Sequence, residues 1–371
     1  MEKDKENKIL NVPALRFPEF TGEWKEERLS KIAELSKGVG ISKEQLSEDG
    51  EPCILYGELY TKYKSEIIHK VISKTNIESS NLKRSKRNDV IIPCSGETAI
   101  DIAVARCVPF DNILLGGDLN IIRLHKDDGA FMAYQLNGKR KIDIAKLAQG
   151  VSVVHLYGEN IKAIKTYNPC LQEQQKIVKL LSMLDERLEV QNKIIEKYES
   201  LIKGIIEKTF VSTQYVPLQH YSPIITSGKD KDERGNYPLY GSTGVIGSVS
   251  KPSYNKSIVL IARVGSIGNV QYVTTPCGIS DNTLIIDAGE ENRFIYYYLN
   301  GYNFSHIISG TTQPLITASS VKKIKIPVIE KHRRKKIVST LCAIERKLYN
   351  ERQITYLLSR QKDFLLSQMF I

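Results

Sequence analysis

The sequence predicts an α+β protein: two duplicated, mostly-β domains with small helices, separated by two long antiparallel coiled-coil helices and related by a pseudo-two-fold axis. Three observations predict it. One unit occurs twice in a single register: Gly150, Ser152, Lys162, Ile164, Lys165, Lys176, Ile177, Val178, Leu181, Leu188 and Phe210 recur as Gly310, Thr312, Lys322, Ile324, Lys325, Lys336, Ile337, Val338, Leu341, Leu348 and Phe370. A repeat dictates architecture, and two copies of a long unit make a duplicated module rather than a solenoid. Short apolar runs punctuated by turn residues fill each copy, which is a β pattern. Each copy then ends in a heptad seam.

Taken in order, Val12 to Trp24 carries proline, glycine and aromatic residues, so an ordered extended segment is expected. From Leu29 to about Tyr167 the apolar runs are Cys53–Tyr56, Val90–Pro93, Ile100–Val104, Ile113–Leu115 and Leu119–Leu124, with some helix around Phe131–Asn137 and Ile142–Leu147. The second copy begins near Val216. Leu55-Tyr56-Gly57 returns as Leu239-Tyr240-Gly241, and Asp118, Ile122, Phe131, Tyr134, Leu136 and Asn137 return as Asp281, Ile285, Phe294, Tyr297, Leu299 and Asn300. The first copy carries a short insertion between Asn137 and Gly150. Shared cores with divergent loops are expected if each module reads something different.

The first seam runs through Ile177, Leu181, Leu184, Leu188, Gln191, Ile195, Tyr198, Ile202 and Ile205, and the second, a weaker one, through Ile337, Leu341, Ile344, Leu348, Glu351, Thr355, Leu358, Lys362 and Leu365. Alternating spacings of four and three keep these residues on one helix face. In an antiparallel pair Gln191 falls opposite Glu351 when Ile177 faces Leu365, a polar pair suited to fixing register. At 1.5 Å per residue such helices span on the order of 54 Å, long enough to hold two modules apart.

Composition narrows the function. A chain of 371 residues accommodates two or three domains, and a formal charge of +11 fits a polyanionic partner. The six cysteines form no CxxC pair and the six histidines are scattered, so neither a zinc site nor a disulfide framework is expected. No apolar run reaches membrane-spanning length, and Met1-Glu2-Lys3-Asp4-Lys5-Glu6 is charged rather than signal-like. A cytoplasmic protein that does not engage membranes is expected.

At this point the chain resembles the specificity subunit of type I restriction–modification systems, over almost its whole length. The resemblance rests on Pro13-Ala14-Leu15-Arg16-Phe17-Pro18-Glu19-Phe20 with Gly22, Trp24 and Leu29. It rests also on the module closures, Gly150-Val151-Ser152 with Ile161–Ile164 and Gly310-Thr311-Thr312-Gln313 with Val321–Pro327, and on the spacer start Glu173-Gln174-Gln175-Lys176-Ile177. The second helix departs from the pattern, opening on a basic run, Lys331 to Lys336. The resemblance implies a conserved N-terminal segment (1–23), a first target-recognition domain (24–168), a central spacer helix (169–212), a second recognition domain (213–328) and a C-terminal spacer helix (329–371). It implies double-stranded DNA, two methylation subunits and two restriction (motor-nuclease) subunits as partners. S-adenosylmethionine, ATP and Mg²⁺ are expected on those subunits and no cofactor or metal on this chain.

The motifs agree with a reader rather than a catalyst. Asn168-Pro169-Cys170 lacks the second proline and the aromatic ring with which an adenine methyltransferase holds a flipped base. No GxGxxG or GxxxxGK[ST] motif is present, so no catalytic residue is expected. Reading DNA needs side chains that reach major-groove edges and cations that meet phosphates. In the first module the candidates are Tyr56, Glu58, Tyr60, Lys62, Ser95, Glu97 and Thr98 for bases, and Lys83, Arg84, Lys86 and Arg87 for phosphates. In the second they are Tyr240, Ser242, Thr243, Arg263, Ser266, Thr311, Thr312 and Gln313. The rival expectation is a coiled-coil scaffold that binds DNA without reading it.

Overall fold

In a computed structural model that describes residues 10–78, 80–310 and 313–371, the chain divides into two compact units. The first comprises Met1–Gln191 and Ile354–Ile371, the second Asn192–Gln353. Both divisions fall inside long helices, Leu171–Thr209 and Lys331–Gln368, so each unit is one module with a half of each helix. Among the described residues no helix is long and apolar enough to cross a membrane.

The first module is closed at its base by strand Lys25–Arg28, paired antiparallel with Lys165–Asn168. Its central antiparallel sheet has the order Ala33–Lys37, Leu119–Leu124, Asp89–Pro93, Arg106–Val108. Every residue of Asp89–Pro93 is buried, as befits an apolar run in an inner strand. A second sheet runs Leu46–Ser47, Ser73–Thr75, Glu51–Ile54, Leu114–Leu115, Lys83–Arg84, with a parallel pairing of Cys53 and Ile54 against Leu114 and Leu115. Helix Gly129–Asn137, capped by Asp128 accepting from the Phe131 N–H at 2.9 Å, packs on the central sheet. One strand expectation is corrected: Ile100–Val104 does not form a strand, and Ala99–Ile102 is a helical turn instead. Thr98 caps it by accepting from the Asp101 N–H, and this local signal overrides the apolar run.

The second module repeats the strand order of the central sheet, while its second sheet has three strands rather than five. Tyr215–Pro217 pairs with Lys325–Pro327, and the central sheet runs Ile224–Ser227, Thr283–Asp287, Ile258–Ala262, Val270–Val273. Strands Gly244–Val249, Tyr237–Gly241 and Gly278–Ile279 form the second sheet, with the last pairing parallel. Helix Asn292–Asn300 stands where Gly129–Asn137 stands in the first. Register fixes the correspondence of inner strands: Val90 pairs with Ile122 and Leu260 with Ile285, so Val90 corresponds to Leu260.

In each unit the start of one long helix packs on the end of the other. In the first, Ile177 and Leu181 join Leu365, Leu366, Met369 and Phe370 in one apolar cluster with Trp24, Phe131 and Tyr134. In the second, Ile337 and Leu341 join Ile202, Ile205, Ile206 and Phe210 with Phe294 and Tyr297. The same aromatic pair closes both: Phe131 on Phe370 at 5.3 Å and Phe210 on Phe294 at 5.0 Å. All eighteen seam positions predicted above are buried or half-buried.

A carboxylate accompanies each cluster, buried at Asp185 and half-buried at Glu345. Asp185 accepts from Tyr134 Oη and Glu345, its equivalent, accepts from Tyr297 Oη, both at 2.6 Å. Asp185 is neutralised by Lys362 of the other helix, whose Nζ lies 2.5 Å from both Asp185 and Glu66. Glu345 is neutralised by Arg293 of its own module at 2.6 Å.

The N-terminal segment is tied to the first long helix. Arg16 forks onto Glu173 with two bonds of 2.7 Å, and Trp24 Nε1 donates to the same carboxylate at 3.3 Å. At the equivalent start of the second helix, Arg334 forks onto Glu291 at 2.9 and 2.7 Å, and Lys331 lies 3.4 Å from Glu290. Arg333, Lys335 and Lys336 are exposed.

Candidate nucleic-acid interface

In the first module the chain leaves Glu51–Ile54 and turns into a short helix, Glu58–Thr61. Glu58 is withdrawn as a base contact. It is 6% exposed and accepts from the Leu55 N–H at 3.1 Å, from Lys62 Nζ at 2.6 Å and from Ser73 Oγ, so it holds the turn together. Ser95 is withdrawn as well: 6% exposed, its hydroxyl donates to Asp118 Oδ2 at 3.1 Å. Lys62 is exposed, with its ammonium held by Glu58.

Tyr60 brings two of the candidate segments together. Its hydroxyl lies 3.7 Å from where a Cβ would stand on either Gly57 or Gly96. Burial pushes the Tyr60 phenol above its ordinary value, and Tyr56, Glu97 and Asp101 push the same way. Glu97 and Thr98 are exposed beside it.

The cations belong to a different part of the module. Lys83–Arg84 is an edge strand on Leu114–Leu115, where Arg84 meets Glu51 at 2.7 Å and the Asn112 carbonyl at 3.1 Å. Lys86 and Arg87 are exposed on the following turn, whose amides donate to Asp89 at 2.7 Å and Asp111 at 2.8 Å. Arg87 lines two open clefts of about 430 and 630 Å³, one with Lys126 and the other with His69 and Lys70. Lys70 and Lys126 escaped the sequence reading because neither stands in a basic run.

In the second module the segments around Ser242, Arg263 and Asn282 are bonded together. Tyr240 is the penultimate residue of strand Tyr237–Gly241, and Ser242 and Thr243 form the hairpin turn after it. Ser242 Oγ donates to the Val264 carbonyl at 2.8 Å, Asn269 Nδ2 to the Ser242 carbonyl at 2.7 Å and Gln271 Nε2 to the Gly241 carbonyl at 2.8 Å. Arg263 is bound through its backbone on both sides, its N–H to the Asn282 carbonyl at 2.9 Å and its carbonyl to the Ile316 N–H at 3.0 Å. Ser266 and Gln313 are exposed; Thr311 and Thr312 lie outside the described residues. Asn269 and Gln271 were not singled out in the sequence, although their alternate spacing places both on one face of strand and loop.

Residues 21–200 and 221–358 match the type I restriction modification DNA specificity domain, once for each module. The chain belongs to that family. A type I restriction enzyme specificity subunit (MjaVIII) of Methanocaldococcus jannaschii is 26% identical over 212 residues, which is 57% of this chain and 46% of that protein. The chain thus spans under half the length of that curated relative in alignment. The S subunit of a type I restriction–modification system from M. genitalium shares the fold over 97% of this chain and 99% of that one, with a TM-score of 0.69 at 20% identity. A chain from a study of complex assembly and conformational transition of the type I system shares it over 94% and 97%, with a TM-score of 0.56 at 16% identity. The specificity-family fold is therefore the one described above, module for module.

Proposed function

We propose that this chain is the non-catalytic DNA-reading subunit of a type I restriction–modification assembly. Each module reads one half of a bipartite, interrupted site. The observation that carries this reading is that one strand order occurs twice within the two family-matched segments, each time with its own set of polar loops. The long helices set the gap between half-sites and offer the docking surface for two methylation subunits, with two motor-nuclease subunits completing the assembly. S-adenosylmethionine, ATP and Mg²⁺ bind those partners.

Single-molecule methylation sequencing of the source genome, with the gene intact and deleted, tests the proposal. Adenine methylation is expected to disappear on deletion at one interrupted, two-part motif. An unchanged methylome while the methylation partner is expressed, together with equal affinity for all sequences and a steep salt slope, would establish a scaffold that binds DNA without reading it.

A further inference from the structure

We propose that Arg263 is a specificity-determining residue of the second module, donating in a fork to the O6 and N7 edge of one guanine in its half-site. The proposal rests on the DNA-reading function above. Among the described residues Arg263 is the one half-buried arginine whose guanidinium has no acceptor: its Nε is buried and unpartnered. Every other buried or half-buried arginine there donates to a carboxylate or a carbonyl, as Arg106 does to the Leu59 and Tyr63 carbonyls and Arg123 to Asp89. Partial burial of a cation without an acceptor opposes folding, so its presence calls for a partner that arrives from outside.

The surroundings say which partner. Arg263 follows the inner strand Ile258–Ala262, and its backbone is clamped by Asn282 and Ile316, so the side chain starts from a fixed point. Beside it the ribbon Tyr237–Gly241 and Gly244–Val249 turns at Ser242 and Thr243, and Ser242 is bonded to Val264. A two-stranded ribbon is of a size that the major groove admits. This ribbon leaves Val245 and Ile246 more than half exposed, apolar groups of the kind that meet a thymine methyl. Arginine bidentate to guanine is the commonest specific contact in that groove. The first module differs here: by strand register its residue at this place is Pro93, so the contact belongs to one half-site alone.

The test uses the full chain in its methylating assembly, as wild type, Arg263→Ala and Arg263→Lys. Each is titrated against duplexes carrying all four bases at every position of the second half-site. Wild type is expected to prefer guanine at one position by about tenfold to a hundredfold. Arg263→Ala is expected to lose that preference while the first half-site profile stays as in wild type, and Arg263→Lys to keep guanine first at a reduced ratio. Affinity lost by both variants at every sequence would make Arg263 structural. A salt slope shallower by about one with the base profile unchanged would make it a phosphate contact. Either result overturns the proposal, as does a variant profile identical to wild type. A wild-type assembly without preference at any position overturns the DNA-reading function itself, and is told apart because the failure is already present before substitution.

Discussion

Tyr134 and Asp185 in the first unit, and Tyr297 and Glu345 in the second, bind module to helix through a buried hydroxyl and a carboxylate. Removing the cation that neutralises such a carboxylate leaves it buried alone. Lys362→Met is therefore expected to cost about 3–5 kcal/mol in denaturant unfolding of the full chain, with both Asp185 and Glu66 stranded. The cluster also sets an alkaline limit. Burial by itself would lower the Lys362 ammonium, but the charges of Glu66 and Asp185 and their hydrogen bonds outweigh it and leave it raised. Burial, then the Asp185 charge, push the Tyr134 phenol well above its ordinary value. Folded values above unfolded ones mean that this stabilisation is complete below about pH 10 and is lost as pH rises further. Unfolding free energy is expected to decline above that pH, less steeply in Lys362→Met than in wild type. Equal slopes would show that the ion pair does not persist in solution. The recurrence of Tyr134 as Tyr297 was legible as sequence. The roles of Glu66 and Lys362 were not, because they come from remote parts of the chain and no local pattern joins them.

At the scale of elements, heptads were readable because their period is local, and every seam residue is removed from full exposure. Leu181 and Leu341 are equivalent and wholly buried, so Leu181→Ala and Leu341→Ala are each expected to lose about 2–5 kcal/mol, measured by urea unfolding. A loss confined to one of them would mean that the two units do not share the same helix packing. Sheet order was beyond the sequence, since it is set by pairings between strands far apart, such as Leu119–Leu124 with Ala33–Lys37. Loop chemistry was the least legible. Glu58 and Glu97 look alike in sequence, but one is locked into its turn by three donors and the other is exposed. The glycines at the module closures were better signals. Gly150 and Gly310 both have positive φ, 123° and 91°, and a Cβ would lie 2.1 Å from the Val153 carbonyl oxygen in one and 2.7 Å from that of Gln313 in the other.

For the whole molecule, the duplicated fold makes separable predictions about the site. Exchanging the second module for that of another family member, with the helices kept, is expected to change one half-site and leave the other, as read by methylation sequencing. Inserting a heptad within Ile177–Ile205 is expected to change the gap and neither half-site; an unchanged gap would refute the helices as a ruler. The two cations of the buried clusters add a constraint on such exchanges. The second module carries its own counter-ion in Arg293, whereas the first carries an acid, Glu66, and relies on Lys362 of the last helix. A first-type module placed on the second socket would set two carboxylates against Ile202, which stands at the place equivalent to Lys362. A second-type module placed on the first would crowd two cations around Asp185. Exchange of a module at its own position is thus expected to keep the charge balance of these clusters, and exchange across positions to upset it.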